Sequence, residues 1–543
     1  MVGANDLAVR VCEELCATQG HDVVAVWDGA ESAPLIVGAG AAFAQLPPNT
    51  YDALEAAGVR EAACIIPVSE DDRLNLQVAL KARDLNPQIR IVLRQFNRAL
   101  GRKIEQNLPD CTAISPATHA AATYAGAAVD PSCLYAVQFP GVGGTLLGFS
   151  ERKAAAFGLH DTSVAEAESR LGIRIVAVNG DTAVSGGAKI AREDTVVACA
   201  PVRALQPAHS RRGKGPRRAA RTHTSLRGVL RGAARFEPLV LYTFAAGTMM
   251  YVAAALYFMA AMHISAIESL YFVAATMFTV GYGDITPYTH HAAWPTYAVS
   301  IFVMAVGVTV GGVFIATIAS ALNRAQETAL RGLRRIRAED HVVVCGAGNV
   351  GTRVIEFLLE MEQRVVVIEP RPSALIVEHA RTRRIELLAS DATDDDTLGF
   401  CDLRRAHSLV AVTDSDTANL EAALGALVDN PDLPVVLRIM DPQFSRSVER
   451  NLKIAKSFSA SELTAPAIAG LARFPSSRGR VTFARETFSI NERAAEMTMP
   501  REEDGIPLYV WREGTLRPIR DFGEVRDGDR VLDMVPLSQF KAG

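Results

Sequence analysis

The sequence predicts a membrane-spanning α-helical unit, with two spans and a short helix between them, combined with Rossmann-like α/β domains that each carry a small α+β subdomain. Two long segments without charged residues flank the motif Thr-Val-Gly-Tyr-Gly-Asp at 279–284. The dipeptide Asn-Leu at 75–76 recurs at 419–420, and other pairs share this offset of 344, so the two soluble halves are copies. In the second copy a glycine-rich loop at 346–351 follows a run of β-branched residues.

Composition places most of the chain outside a membrane. Of 543 residues 49% are hydrophobic, and the mean hydropathy of +0.14 is high for a soluble protein, yet only two segments are long and uncharged enough to span a bilayer. The eight cysteines form no CxxC pair, which predicts reduced core thiols. Residues 1–7 lack the pattern of a cleavable signal peptide, so we expect the first span to direct insertion.

The first copy is predicted to be a Rossmann-like domain over 1–138, followed by a small subdomain over 139–205. Short Val/Ile runs alternate with Ala- and Leu-rich stretches, which is the pattern of a parallel sheet with crossover helices. Of the three glycines in a dinucleotide fingerprint, this copy keeps only Gly3. Because a phosphate needs close backbone approach, Asn5 and Ala8 at the other two positions predict that this copy is structural or binds something else.

A basic linker is predicted over 206–235. It contains no acidic residue, and its basic residues are Arg211, Arg212, Lys214, Arg217, Arg218, Arg221, Arg227, Arg231 and Arg235. Two interpretations are open: attraction to anionic lipid head groups, at about 1 kcal/mol per basic side chain, or a solvated linker that only sets topology. No aromatic residue is interleaved with the arginines, which argues against nucleic acid as a partner.

Two membrane spans are predicted at about 239–262 and 292–322, within a membrane domain over 236–324. Neither span carries a charged residue, and each exceeds the roughly 20 residues that cross a bilayer core. The loop at 263–291 contains no Lys or Arg, whereas basic residues precede the first span and follow the second. By the positive-inside rule both termini are cytoplasmic in a protein of the cell membrane. A second linker is predicted at 325–339.

The loop between the spans is typical of a potassium selectivity filter. A pore helix is predicted at 266–278 and the filter at 279–284. Potassium loses its water only where oxygens replace it, and four such loops supply stacked rings of backbone carbonyls. Four residues are expected to bind K⁺ through their carbonyls: Thr279, Val280, Gly281 and Tyr282.

Side chains in the filter fit the same interpretation. The Thr279 hydroxyl would close the innermost ring, and Gly281 and Gly283 reach positive φ without steric cost. Tyr282 is expected to point away and to pack behind the loop. The alternative, a glycine turn between buried strands, is disfavoured by the charge-free flanks. Spans, pore helix and filter resemble the two-helix potassium channel family over about 85 residues, and one filter per chain implies a homotetramer.

The second copy is predicted over 340–475, with a small subdomain over 476–543. The run at 341–345 leads into the glycine loop, and Glu369 follows about 20 residues later. In this pattern glycines let the backbone approach a pyrophosphate, and the carboxylate accepts hydrogen bonds from the ribose diol. The loop residues expected to bind a nucleotide are Gly346, Gly348, Asn349, Val350 and Gly351. The alternative is a retained fold without a ligand.

The order of Rossmann-like unit, helix and small β-rich unit resembles the regulator of potassium conductance (RCK) domain over nearly all of both halves. The glycine loop, Glu369 and Asp391 match its ligand motif, although Ser390 stands where that family usually has glycine. The resemblance implies gating by a bound nucleotide, with Asp391 near the base, or by a divalent cation. NAD, NADH and adenine nucleotides are all candidates. One RCK domain before the pore departs from the commonest layout, in which both follow it.

Two further groups allow a functional and a structural interpretation. The acidic cluster at 391–396 is compatible with calcium ligation or with a solvated capping turn, which we favour because EF-hand spacing is missing. Gly307, Gly311 and Gly312 in the second span are compatible with close helix packing or with a gating hinge, which we favour because pore-lining helices bend to open.

Together these features predict a potassium-selective, homotetrameric channel in which cytoplasmic RCK domains convert ligand binding into pore opening. Conduction is passive, so no enzyme activity is expected. Two alternatives are a less selective cation channel of the same build and a nucleotide-dependent oxidoreductase. The fused filter disfavours the oxidoreductase, as does the lack of a separate substrate domain with a placed acid or base.

Overall fold

The computed structural model describes residues 1–18, 20–139, 145–205, 238–330, 336, 338–382, 384–452, 454–474, 476–494, 505–519 and 525–537. The predicted basic linker lies outside the described residues, as does most of 331–337 in the second linker. The chain divides into two compact units, of which the first combines Met1–Lys214 with Leu333–Gly543 and the second is Gly215–Gly332.

The first copy begins with a parallel Rossmann-like sheet. Its strands are β1 (Val24–Trp27), β2 (Ala42–Gln45), β3 (Cys64–Ile65), β4 (Arg90–Arg94) and β5 (Cys111–Ile114). Its helices are α1 (Asp6–Glu13), α2 (Ala33–Gly38), α3 (Tyr51–Ala56), α4 (Asp72–Leu85), α5 (Arg98–Asn107) and α6 (Pro116–Val129). Val2 forms single parallel bridges to Val26 and Pro67, and therefore takes the central place between β1 and β3.

A small antiparallel subdomain follows. Its strands are β6 (Cys133–Gln138), β7 (Leu146–Lys153), β8 (Thr162–Ser163), β9 (Arg174–Val178), β10 (Lys189–Ile190) and β11 (Thr195–Pro201). Its helices are α7 (Val164–Leu171) and α8 (Val202–Leu205). The main sheet has the order β6-β7-β11-β9. Because β6 pairs with β7, the subdomain begins several residues before the predicted boundary at 139.

The membrane unit consists of three helices: α9 (Pro238–Met262), α10 (Ala266–Met277) and α11 (Trp294–Leu330). By length and composition two of them can cross a membrane, through Ala245–Met262 and Trp294–Val313. In the core of the unit, Phe258 packs edge-on against Phe272 with ring centroids 4.9 Å apart. Helices cover most of the two predicted spans and of the predicted pore helix, and α11 continues beyond the predicted end at 322.

The second copy repeats the first. Its parallel strands are β12 (His341–Cys345), β13 (Arg364–Ile368), β14 (Ile385–Leu388), β15 (Ala406–Ala411), β16 (Val435–Arg438) and β17 (Lys456–Phe458). Its helices are α12 (Asn349–Glu360), α13 (Ala374–Arg381), α14 (Asp395–Gly399), α15 (Asp416–Asp429), α16 (Pro442–Asn451) and α17 (Ala460–Arg473). The sheet order is β14-β13-β12-β15-β16-β17, the order of a Rossmann fold.

A second antiparallel sheet ends the described chain. Its strands are β18 (Ser477–Phe483), β19 (Glu486–Ala494), β20 (Ile506–Arg512), β21 (Thr515–Pro518) and β22 (Arg530–Pro536), in the order β18-β19-β22-β20-β21. The predicted small subdomain at 476–543 is therefore β-rich in its described part.

One helix of each copy packs against the other copy. Helix α6 of the first copy packs against α12, β15 and β16 of the second, and α17 packs against α1 and β4 of the first. Tyr124 donates to the Phe458 carbonyl at 2.7 Å, and Ser408 donates to the Ala128 carbonyl at 2.7 Å. An Ala-rich helix such as α6 can be buried on all sides, because its small side chains admit both copies. The two copies consequently share one hydrophobic core.

Candidate functional site

The filter loop is attached to the C-terminal end of the pore helix α10. Ser265 and Glu268 form a capping box that starts this helix. At its other end the Ala275 carbonyl accepts from the backbone N–H of Val280 at 2.9 Å and of Gly281 at 3.1 Å. These bonds use a carbonyl that the end of a helix would otherwise leave unpaired. The start of the filter is thereby fixed to the pore helix.

The filter backbone alternates in handedness. The angle φ is +57° at Thr279, +56° at Gly281 and +78° at Gly283, and it is not positive at the two residues between them. Alternation of this kind turns successive carbonyls toward one side, whereas an ordinary strand points them to opposite sides. Sequence reasoning predicted the two glycines but missed Thr279, a β-branched residue for which positive φ is strained. The position of Thr279, two residues before Gly281, is the sequence feature from which its positive φ could have been predicted.

Two aromatic residues and a carboxylate support the filter from one side. The ring of Tyr282 stacks on that of Tyr271, with centroids 6.3 Å apart and planes 6° apart. Tyr271 in turn donates from its hydroxyl to Asp284 Oδ2 at 2.9 Å. Tyr282 is still 72% exposed within the single chain, so its predicted packing behind the loop is only partly made there. Sequence reasoning did not single out Tyr271.

The three glycines of α11 have different surroundings. A Cβ on Gly307 would lie 2.6 Å from the Met277 carbonyl oxygen, so this glycine allows close packing of α11 on the end of α10. A Cβ on Gly311 or Gly312 would meet nothing within 4 Å. For Gly307 close packing, rather than the favoured hinge, accounts for the residue. For the other two the hinge remains a prediction.

The glycine loop of the second copy joins β12 to α12. Gly346 has φ +94°, and a Cβ there would lie 2.9 Å from Thr413 Cγ2. A Cβ on Gly351 would overlap the Gly346 carbonyl oxygen, so the helix can approach the strand only through this glycine. A Cβ on Gly348 would meet nothing within 4 Å, and no side chain caps the helix that starts after it. Open space therefore lies beside the N-terminus of α12.

Three adjacent strands bring the predicted ligand residues to one sheet edge. Glu369 follows β13, and its carboxylate accepts from Ala347 N at 2.7 Å and from Arg371 N at 3.0 Å. Asp391 follows β14 and accepts from Thr393 N at 3.0 Å and Oγ1 at 2.9 Å. With the loop after β12, these groups meet at the carboxyl ends of β12, β13 and β14, where open α/β sheets bind ligands.

The remaining predicted residues have structural contacts. Asn349 begins α12, and Val350 is buried in the core that the two copies share. Ser390, at the position usually held by glycine, is buried, and its Oγ lies 2.9 Å from Thr397 Oγ1. Across the described residues no three or more His, Cys, Asp or Glu side chains are grouped to hold a metal ion.

The equivalent loop of the first copy is closed by its own side chain. Asn5 Oδ1 accepts from Ala8 N at 2.9 Å, and its Nδ2 donates to the Val68 carbonyl at 2.8 Å. Asn5 thus caps α1 and occupies the helix N-terminus that a phosphate would need. This geometry accords with the predicted structural role of the first copy.

Comparison with known proteins identifies the parts of the chain. The TrkA-N domain family matches residues 1–114 and again 342–459, and the ion channel family matches 240–324. The voltage-gated potassium channel Kch of Escherichia coli is 29% identical over 181 residues, which are 33% of this chain and 42% of Kch. Potassium channel protein 1 of Methanocaldococcus jannaschii is 27% identical over 179 residues, which are 32% of this chain and 53% of that protein. The chain thus spans about half or less of the length of these curated relatives.

Solved structures share the fold over nearly the whole chain. The crystal structure of the GsuK RCK domain has a TM-score of 0.50 at 14% identity, and the match covers 99% of this chain and 92% of the GsuK chain. The GsuK channel bound to NAD also has a TM-score of 0.50, at 13% identity, and this match covers 99% of this chain and 77% of the chain in that structure. At such identities the likeness shows the fold alone. The family matches therefore place a TrkA-N domain in each of the two copies and an ion channel domain between them.

Proposed function

We propose that this chain forms a potassium-selective channel gated by a nucleotide bound to its second copy. The observation that carries the proposal is the filter, in which φ is positive at every second residue from 279 to 283, at the C-terminal end of the pore helix. Four such loops would stack carbonyl rings from Thr279, Val280, Gly281 and Tyr282, with the Thr279 hydroxyl innermost. The relatives from Escherichia coli and Methanocaldococcus jannaschii are named as potassium channels.

The proposed channel is a homotetramer, because one filter per chain requires four chains. Each copy exposes three large apolar side chains at positions that the repeat relates: Leu80, Phe96 and Leu100 on the first copy, and Leu424, Met440 and Phe444 on the second. Exposed apolar surface favours contact with another chain. Two such sets of side chains per chain suit a closed ring, in which each chain contacts two neighbours.

The nucleotide site of the proposal is the sheet edge formed by Gly346, Gly348, Gly351, Glu369 and Asp391. Its support is geometric: the helix N-terminus beside Gly348 is open, and the Glu369 carboxylate lies next to the loop. NAD, NADH and adenine nucleotides all fit this chemistry, and a relative in fold, the GsuK channel, has been solved with NAD. A divalent cation is the alternative ligand.

The proposed membrane placement follows from charge. Both termini lie in the cytoplasm of a cell-membrane protein, because the basic residues flank the two spans and are missing between them. The linker at 206–235 would then lie beside anionic lipid head groups.

The proposed activity is conduction rather than catalysis. Its support is that the ion channel family matches the part of the chain that contains the filter, and that relatives sharing part of the sequence are named as potassium channels.

Reconstitution of the full chain into planar bilayers tests conduction. With potassium on one side and sodium on the other, we expect a reversal potential close to the value for potassium alone, because the carbonyl rings select the larger ion. A reversal potential near zero would instead favour the less selective cation channel.

The charge of Glu369 predicts which nucleotide binds best. Its carboxylate can accept hydrogen bonds from a ribose diol, but it would lie close to the negative charge of a 2′-phosphate. We therefore expect NAD, NADH, ADP or ATP to bind at least about tenfold more tightly than NADP, a difference of about 1.4 kcal/mol. Titration calorimetry of the purified full chain with these five nucleotides measures the order. If NADP bound more tightly than every diol nucleotide, the proposal that Glu369 accepts hydrogen bonds from the ribose diol would be wrong.

A further inference from the structure

A histidine joins the two copies close to where the chain enters the second copy. His407 lies near the start of β15, and its side chain is 14% exposed. Its Nδ1 is 3.1 Å from Oδ1 of Asp340, which directly precedes β12. Its Nε2 is 3.1 Å from the carbonyl oxygen of Val129, the last residue of α6. One imidazole ring therefore contacts the second copy and the first copy at once.

Both ring nitrogens of His407 face oxygen acceptors. A neutral imidazole carries one N–H, so it can donate to only one of the two oxygens. An imidazolium carries two N–H groups and can donate to both. The end of α6 adds to this preference, because the carbonyls in the last turn of a helix carry partial negative charge. The bridge between the copies is therefore complete only when His407 is protonated.

The bridge lies at the end of the linker that follows the second span. Asp340 is the first residue after the predicted linker at 325–339, which leads from α11 into β12. The backbone N–H of Asp340 donates to the Arg405 carbonyl at 2.9 Å. The preceding Glu339 is paired with the Arg405 guanidinium at 2.7 Å. The end of the linker is thus fixed to the residues that surround His407.

A related bridge in the first copy uses an arginine. Arg90 of β4 donates from Nη1 to the Leu471 carbonyl, in the last turn of α17, at 3.4 Å, and from Nη2 to Asp110 Oδ1 at 2.9 Å. It too joins a carboxylate of its own copy to a helix end of the other copy. Arginine is charged at every physiological pH, whereas histidine changes its charge between pH 5 and 8. Of these two bridges, the one beside the linker can therefore respond to pH.

The charged groups around His407 leave Asp340 as its ionic partner. His341, in the neighbouring strand, is buried, and burial lowers its pKa, so its ring is neutral at physiological pH. Asp130, which caps α6, is already paired with Arg152. The segments next to the starts of β12, β13, β15 and β16 carry further charges, at Glu339, Arg364, Asp402, Arg404, Arg405 and Asp432. The carboxylate that contacts the His407 ring is that of Asp340.

We propose that His407 is a proton-operated switch between the two copies, engaged by cytoplasmic acidification and released as the pH rises. When it is engaged, the imidazolium holds α6 of the first copy to Asp340 at the end of the linker. When it is released, the neutral ring gives up one of its two contacts, and the linker end is no longer tied to the first copy. The effect on current rests on the proposed channel function, but not on nucleotide binding.

Planar-bilayer recording of the full chain at cytoplasmic pH 6 and pH 8, in otherwise identical solutions, tests the switch. We expect the open probability to change at least about threefold between these pH values, because histidine changes charge in this range. His407→Gln should remove that change, since an amide does not titrate, and thermal unfolding shows whether the variant is folded. The matched control is His160→Gln, which replaces an exposed histidine of the first copy and should leave the pH response intact.

Asp340→Asn tests the partner of the histidine. Asp340 has φ +54°, a conformation that asparagine also adopts, so the backbone should persist. Without the carboxylate the imidazolium is less favoured, and the pH response of the current should be smaller than in the unsubstituted chain.

Hydrogen exchange separates a failure of the switch from a failure of conduction. Compared with the unsubstituted chain at the same pH, His407→Gln should raise exchange in peptides covering 125–131 and 338–345 more at pH 6 than at pH 8. The proposal is overturned if this increase is equal at both pH values or if the open probability does not depend on pH. It is also overturned if His407→Gln keeps the pH response or if His160→Gln loses it.

Discussion

Replacing Gly281 with Ala should abolish potassium-selective current in reconstituted bilayers. Gly281 has φ +56° in the middle of the alternating filter backbone, and a Cβ in the left-handed region costs about 1–2 kcal/mol. Relief of that strain would rotate a carbonyl away from the shared side in each of four chains. The reversal potential under potassium and sodium gradients, together with single-channel conductance, measures the loss.

The matched control for this variant is Gly514→Ala. Gly514 lies in the β20–β21 hairpin with φ +81°, and a Cβ there would also meet nothing within 4 Å. The Gly514→Ala substitution therefore introduces similar backbone strain outside the membrane unit and should leave selectivity unchanged. Normal potassium selectivity in Gly281→Ala would show that the filter lies elsewhere.

Gly348→Asp should weaken nucleotide binding by about two orders of magnitude, because like charges placed close together cost several kcal/mol. A side chain at Gly348 points into open space, so the substitution brings a carboxylate to the helix N-terminus without displacing neighbouring atoms. Glu369→Ala should weaken binding as well, through loss of the acceptor for the ribose diol. Calorimetry with NAD and ADP on the full chain measures both effects.

Asn5→Asp, in the first copy, is the control for the two variants in the second copy. The new side chain can still accept from Ala8 N, because Asn and Asp cap helices about equally well. It loses the hydrogen bond that Asn5 Nδ2 donates to the Val68 carbonyl, so thermal unfolding is measured to show that the variant is folded. Nucleotide binding should be nearly unchanged. Equal losses from Gly348→Asp and Asn5→Asp would mean that the first copy binds nucleotide too, contrary to its predicted structural role.

The elements that the sequence predicts well are those set by local pattern. Charge-free length defined the two spans, and the fixed offset defined the copies. The glycine loop at 346–351 lies between a strand and a helix, as its fingerprint requires. The Gly346 and Gly351 positions are occupied by glycine because neighbouring backbone leaves no room for a Cβ. Here sequence and structure depend on the same local sterics.

The features that sequence reasoning missed depend on distant residues. The strain at Thr279 and the hydrogen bond from Tyr271 to Asp284 arise from the shape of a loop, which residue types alone do not define. The packing of α6 and α17 on the opposite copy involves residues more than 200 positions apart, and an Ala-rich helix does not indicate its partner. The start of the first small subdomain at β6 was missed for the same reason, since β6 is defined by pairing with β7.

The central claim is that a nucleotide at the second copy controls a potassium pore. Planar-bilayer recording of the reconstituted full chain, with NAD, NADH, ADP and ATP applied in turn to the cytoplasmic side, measures this directly. We expect at least one nucleotide to change the open probability of a potassium-selective current severalfold, and expect that response to be lost in Glu369→Ala while selectivity is retained. A potassium current that responds to none of the four nucleotides, or that responds equally in Glu369→Ala, would contradict the claim.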